Sequence, residues 1–73
     1  MSMALSMATQ GSVVRIKDIV SGERMKKRLG ELGLYEGSEV LVYKNDVCGP
    51  VILKVLDSRI VVGRGQAMKI MVE

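Results

Sequence analysis

At 73 residues the chain has room for a single domain with one small core. Its composition, 48% hydrophobic and 26% charged, is that of a globular chain, and no apolar run approaches the ~20 residues of a membrane-spanning helix. A net charge of +3, with Tyr35 and Tyr43 as the whole aromatic complement, is too weak and too poor in stacking groups to point to nucleic acid.

The first ten residues, MSMALSMATQ, lack the basic lead and longer apolar stretch of a signal peptide. They read as an N-terminal segment, residues 1–10, set apart from a domain over 11–73. Within it Leu5, Met7 and Ala8 can pack as a short turn capped by Ser6, or Met1 and Ser2 can hang loose. Gly11 then opens SVVRIKDI. Val14 and Ile16 share a face with Ser12 and Asp18, and Val13, Arg15 and Lys17 share the other. This alternation is that of a half-buried strand.

SGERMKKRLGELG follows as a short helix. Ser21 is the expected N-cap, and Glu23 suits the positive end of the helix dipole. Met25, Leu29 and Leu32 fall on one face at spacings of four and three. Arg24, Lys26, Lys27, Arg28 and Glu31 fill the rest, and Gly30 weakens the helix by about 1 kcal/mol relative to alanine. Gly33 stands where a helix is stopped by a residue of left-handed conformation, with Leu34 placed to touch Leu29. Gly37 fits the third position of a type II turn from Tyr35 to Ser38.

The remainder reads as strands. SEVLVYKN sets Val40 and Val42 against Leu41 and Tyr43, and Gly49-Pro50 marks the next turn. VILKVLD sets Val51, Leu53 and Val55 against Ile52, Lys54 and Leu56, and Asp57-Ser58 is expected to make a tight hairpin into RIVVG. GRGQAMK reads as one helical or 3₁₀ turn before a closing strand IMVE. The fold class is therefore mainly β: a small SH3-like barrel of about five strands, with one short helix inserted after the first.

Catalytic equipment is missing from this list. The absence of histidine removes the commonest general base and metal ligand. Cys48 has no imidazole to activate it and no second cysteine to pair with, which fits a reducing, cytoplasmic setting. Gly63-Arg64-Gly65 lacks the spacing and the Lys-Ser/Thr pair of a phosphate loop. The acidic residues are scattered, and Met25, Met68 and Met71 are read as core rather than as sulfur ligands. No catalytic residue, cofactor or metal ligand is expected. A mean hydropathy of +0.24, high for so small a domain, points either to a valine-rich core or to apolar surface that meets a partner or a second copy. Two partner surfaces stand out. One is the basic helix face with Arg24, Lys27 and Arg28, whose plainer reading is a solvated helix face. The other is the barrel edge near Cys48, Gly49 and Pro50, where an open strand could pair with another chain.

The chain resembles the FeoA family of small ferrous iron transport proteins. The matching residues are Arg28-Leu29, Leu32-Gly33-Leu34, Gly37 before a valine-rich strand, Gly49-Pro50, Val62-Gly63-Arg64 with Ala67, then Ile70 and Val72. The family often has proline where Glu36 stands and glycine where Cys48 stands. Both departures fall in loops. The SH3-like C-terminal domain of iron-dependent repressors is similar too, but is normally joined to a winged helix. The resemblance implies a cytoplasmic accessory protein that is not an enzyme, with the cytoplasmic region of the FeoB-type ferrous iron transporter as partner. It implies no nucleic acid, and membrane contact only through that partner. The alternatives from other classes are a metal-responsive or a nucleic-acid-binding small barrel.

Overall fold

The computed structural model describes residues 2–46 and 48–73. In chain order the elements are β1 (Met3–Ala4), a 3₁₀ turn (Leu5–Met7), β2 (Val13–Ile19), α1 (Glu23–Glu31), β3 (Glu39–Asn45), β4 (Val51–Val55), β5 (Ser58–Val62), α2 (Arg64–Ala67) and β6 (Ile70–Val72). All strand pairs are antiparallel, in the order β1-β6-β2-β3-β4-β5. The first half of β2 pairs with β3 and the second half with β6. The one strand thus joins the two halves of a sheet that wraps a single cluster of buried aliphatic side chains. This is the SH3-like, mainly β architecture that the strand pattern implies.

The N-terminal segment is not separate. Met3 and Ala4 extend the sheet against Val72 and Met71, and Leu5 and Ala8 are buried in the common core. Met7, expected to pack with them, is exposed, and the cap position is Ala4, with no side-chain bond from Ser6. An isolated ten-residue turn has almost no apolar area to bury on its own account. Pairing with β6 gives it one.

Along β2 the alternation breaks. Val14 and Ile16 face inward as expected, but the register against β6 shifts between Ile16 and Asp18. This irregularity turns Ile19, not Asp18, into the core. The Asp18 carboxylate instead accepts the Ile19 N–H at 2.8 Å.

The helix-to-strand corner forms as its glycines dictate. Gly33 has φ +93°, its N–H donates to the Gly30 carbonyl at 3.0 Å, and the Leu34 N–H reaches the Leu29 carbonyl at 2.8 Å. These are the paired bonds of a Schellman stop. Gly37, also at φ +93°, sits in a turn closed by the Ser38 N–H on the Tyr35 carbonyl at 3.0 Å. Leu29 and Leu34 are buried and Met25 packs against the core, whereas Leu32, the C-cap, is 49% exposed. The chain reverses just after Leu32, and Leu34 takes the inward place that helical spacing assigned to it. At the other end the N-cap is Gly22, not Ser21, and no side chain caps it.

The β4–β5 turn also differs from expectation. Its two residues are Leu56 and Asp57, and Ser58 already pairs with Val55. A turn at Asp57-Ser58 would slide β5 by two residues and set Val51 opposite Arg64. The observed register sets Val51 opposite Val62 and Leu53 opposite Ile60, all four buried.

Candidate functional site

The basic residues singled out on the helix lie on the outer side of α1. One side of α1 is fixed by Leu29 and Met25, which leaves Arg24, Lys27 and Arg28 exposed. Neither ion pair among the described residues involves them, since the pairs are Arg15–Glu39 and Lys17–Glu73. Arg24 and Arg28, one turn apart, line an open groove of about 310 Å³ together with Met25 and Gln66 of α2. Lys27 lies outside the lining of this groove.

The second candidate surface is built differently. Cys48 and Pro50 are exposed and Gly49 is half-buried in the β3–β4 connection. What holds this connection is Arg64, at the start of α2. Its Nε donates to the Gly49 carbonyl at 2.8 Å and its Nη2 to Asn45 Oδ1 at 2.7 Å, with further bonds to the carbonyls of Asp46 and, at 3.4 Å, Ser6. Asn45 completes the network by donating to the Ala8 carbonyl at 2.7 Å and to the Ser6 carbonyl at 3.1 Å. A planar guanidinium is suited to this, because its donors spread in one plane toward several acceptors at once. Arg64 therefore ties the N-terminal turn, the end of β3 and the Gly49 loop to α2. Sequence reading missed the role. The available signal was a lone charge between Arg59 and Lys69 in an otherwise uncharged run.

The loop is not at a sheet edge. β3 and β4, which it joins, are each paired on both sides, and the edge strands are β1 and β5. The expectation of an open edge near Cys48-Gly49-Pro50 is therefore corrected: a strand that neighbours both β3 and β5 has no free backbone to offer. The two candidate surfaces lie on either side of α2, which reaches the loop through Arg64 and the helix groove through Gln66.

No cluster of three or more His, Cys, Asp or Glu side chains that could hold a metal occurs among the described residues. The three methionines considered as sulfur donors lie on separate elements. Met25 is half-buried on α1, Met71 half-buried on β6, and Met68, read as core, is exposed after α2. Cys48 is a free, exposed thiol.

Residues 3–73 match the FeoA domain family, including most of the segment set apart at 1–10. Over 69 residues the chain is 44% identical to a protein of Methanocaldococcus jannaschii named as an Fe(2+) transport protein A, an alignment spanning 94% of this chain and 83% of that one. Among solved structures it is similar to a crystal structure of an iron uptake regulatory protein, FeoA. The TM-score is 0.87 at 29% identity, over 100% of this chain and 96% of that one. The manganese regulator SloR shares the fold, with a TM-score of 0.83 at 19% identity, over 97% of this chain but only 34% of the regulator.

Proposed function

The chain belongs to the FeoA family, whose role lies in ferrous iron transport, and from that premise we propose that it is a non-enzymatic accessory protein working in the cytoplasm by contact with the cytoplasmic region of a FeoB-type transporter. The observation that carries this reading is the division of labour on α1. One face is committed to the core through Leu29 and Met25, while Arg24 and Arg28 line an open groove and Lys27 is exposed outside it, none of the three in an ion pair among the described residues. Cations gathered on one exposed face suit an acidic protein surface, which they would attract at long range and orient on arrival. No helix of the described residues is long and apolar enough to cross a membrane, so the proposed route to the membrane is the partner.

The test is direct binding between the purified chain and the cytoplasmic region of the FeoB-type transporter from the same organism, measured at low and physiological salt. Saturable binding that weakens as salt rises is expected. No binding at either ionic strength overturns the proposal.

A further inference from the structure

The order of strands leaves two edges, and they are unlike. β1 is two residues long, whereas β5 is five residues long and paired with β4 in unbroken register from Ser58 to Val62. Among the described residues, none of the backbone bonds made outside the ladders and helices involves these five. Behind a two-residue turn the flanking pair, Val55 and Ser58, exchanges both ladder bonds, so the N–H and C=O groups of Arg59 and Val61 point away from β4. Natural edges are usually blunted by a bulge, a proline or an inward-pointing charge. β5 has none of these three: its inward residues are Ile60 and Val62, both buried, and the charge that it carries, Arg59, is on the outer face.

The outer face beside this edge has a definite chemistry. Val61, 65% exposed, lies next to half-buried Ile52, and Arg59 lies next to Lys54, Leu41 and then Val13. The register shift in β3 leaves Tyr43 without a partner across the ladder, and the Arg59 guanidinium stands 4.4 Å from the centre of its ring. Lys44, Lys54 and Arg59 form no ion pair among the described residues, and the acid of this face, Glu39, is already bound to Arg15 at 3.1 Å. The nearest other carboxylates along the chain are Asp46, two residues from Lys44, and Asp57, in the turn two residues from Arg59. Leu56, which leads into the strand, is 91% exposed and held at φ +55°. A branched apolar side chain is the wrong choice for that conformation on stability grounds alone.

We propose that β5 is a docking edge that takes an extended segment of another protein as an added strand, its acidic side chains set against Arg59 and Lys54 and its apolar ones against Val61 and Leu56. A second copy of this chain is the less suitable occupant. Antiparallel pairing of β5 with itself about Ile60 would bring two Arg59 residues diagonally together and merge two faces rich in cations. The inference rests on the reading of the chain as a contact protein and moves the contact from the Cys48-Gly49-Pro50 loop to the true edge.

The probes are an eight-residue peptide of alternating glutamate and valine, its lysine–valine counterpart, and the cytoplasmic region of the transporter. Each is titrated into the full chain by amide NMR and calorimetry. The Glu-Val peptide should shift and protect the Arg59 and Val61 amides, and the Lys-Val peptide should not. Val61→Pro removes a donor with no ladder partner and the exposed side chain beside it, neither needed by the core, so the fold survives at an edge, and binding should fall at least tenfold; Arg59→Glu should weaken it by about tenfold. If the transporter region binds the wild type and Val61→Pro equally, the edge inference is overturned while the functional reading stands. If the Glu-Val peptide binds at β5 and the transporter region does not bind at all, the edge stands and the functional reading falls. Sedimentation showing a dimer that Val61→Pro dissociates would assign the edge to a second copy and overturn the proposal, as would equal binding of the two peptides.

Discussion

Replacing Arg64 by alanine tests whether one side chain organises the whole end of the barrel that carries the Gly49 loop. The guanidinium makes two well-formed bonds to part-buried acceptors, Gly49 O at 2.8 Å and Asn45 Oδ1 at 2.7 Å. It makes a bond to the exposed carbonyl of Asp46 and a long one to Ser6. Charge-assisted bonds contribute roughly 1.5–3 kcal/mol each when removal strands the acceptor, but the Asp46 carbonyl is open to water and the Ser6 carbonyl keeps its bond from Asn45 at 3.1 Å, so only the first two acceptors are stranded. We expect Arg64→Ala to cost about 2–3 kcal/mol, which for a domain of this size lowers the melting temperature by roughly 8–24 °C. Lysine keeps the charge but not the planar fork, so Arg64→Lys should recover less than half of the loss. Thermal melts followed by circular dichroism give the size of the effect. Amide chemical shifts give its location: those of Cys48, Gly49 and Asn45 should move while the β2–β3 ladder is unchanged. A melting temperature within about 2 °C of the wild type would refute the reasoning, since it would mean that solvent satisfies all four acceptors as well as arginine does.

Gly33→Val should cost on the order of 1–3 kcal/mol because a β-branched residue resists φ +93°. A Cβ at Gly33 would also meet Val55 Cγ1 at 3.3 Å, whereas one at Gly37, with the same φ, would meet nothing, so Gly33→Ala should melt below Gly37→Ala. Leu29→Ala removes a side chain that is 4% exposed and should cost roughly 2–5 kcal/mol in denaturant unfolding. Charge reversal at Lys27 and Arg28 should weaken association with the transporter region at low salt while shifting stability by no more than about 0.5 kcal/mol, and unchanged affinity in the folded double variant would rule out the helix face. Anaerobic calorimetry with ferrous iron should show no tight stoichiometric site in the isolated chain, because the described residues assemble no cluster of hard ligands; a sub-micromolar single-site isotherm would contradict that.

What the sequence determined by itself was local. The stop at Gly33, the turn at Gly37 and the inward rows Val40-Val42 and Val51-Leu53 each depend on residues within a few positions of one another. Positive φ needs only glycine, and alternation needs only the period of a strand. The basic face of α1 was legible for the same reason, because helical spacing alone separates Arg24, Lys27 and Arg28 from Leu29. Tertiary structure decided everything that depends on distant segments meeting. The burial of Ile19 in place of Asp18 follows from register against β6, and the exposure of Leu32 from the reversal that carries Leu34 inward. The first residues join the core because β6 is there to receive them. Arg64 could not be recognised as a hub, since its acceptors at Ser6, Asn45 and Gly49 lie 15 to 58 positions away. The same holds for the free edge. A strand's own residues do not say how many neighbours it has, so only the order β1-β6-β2-β3-β4-β5 could show that β4 is enclosed and β5 is open.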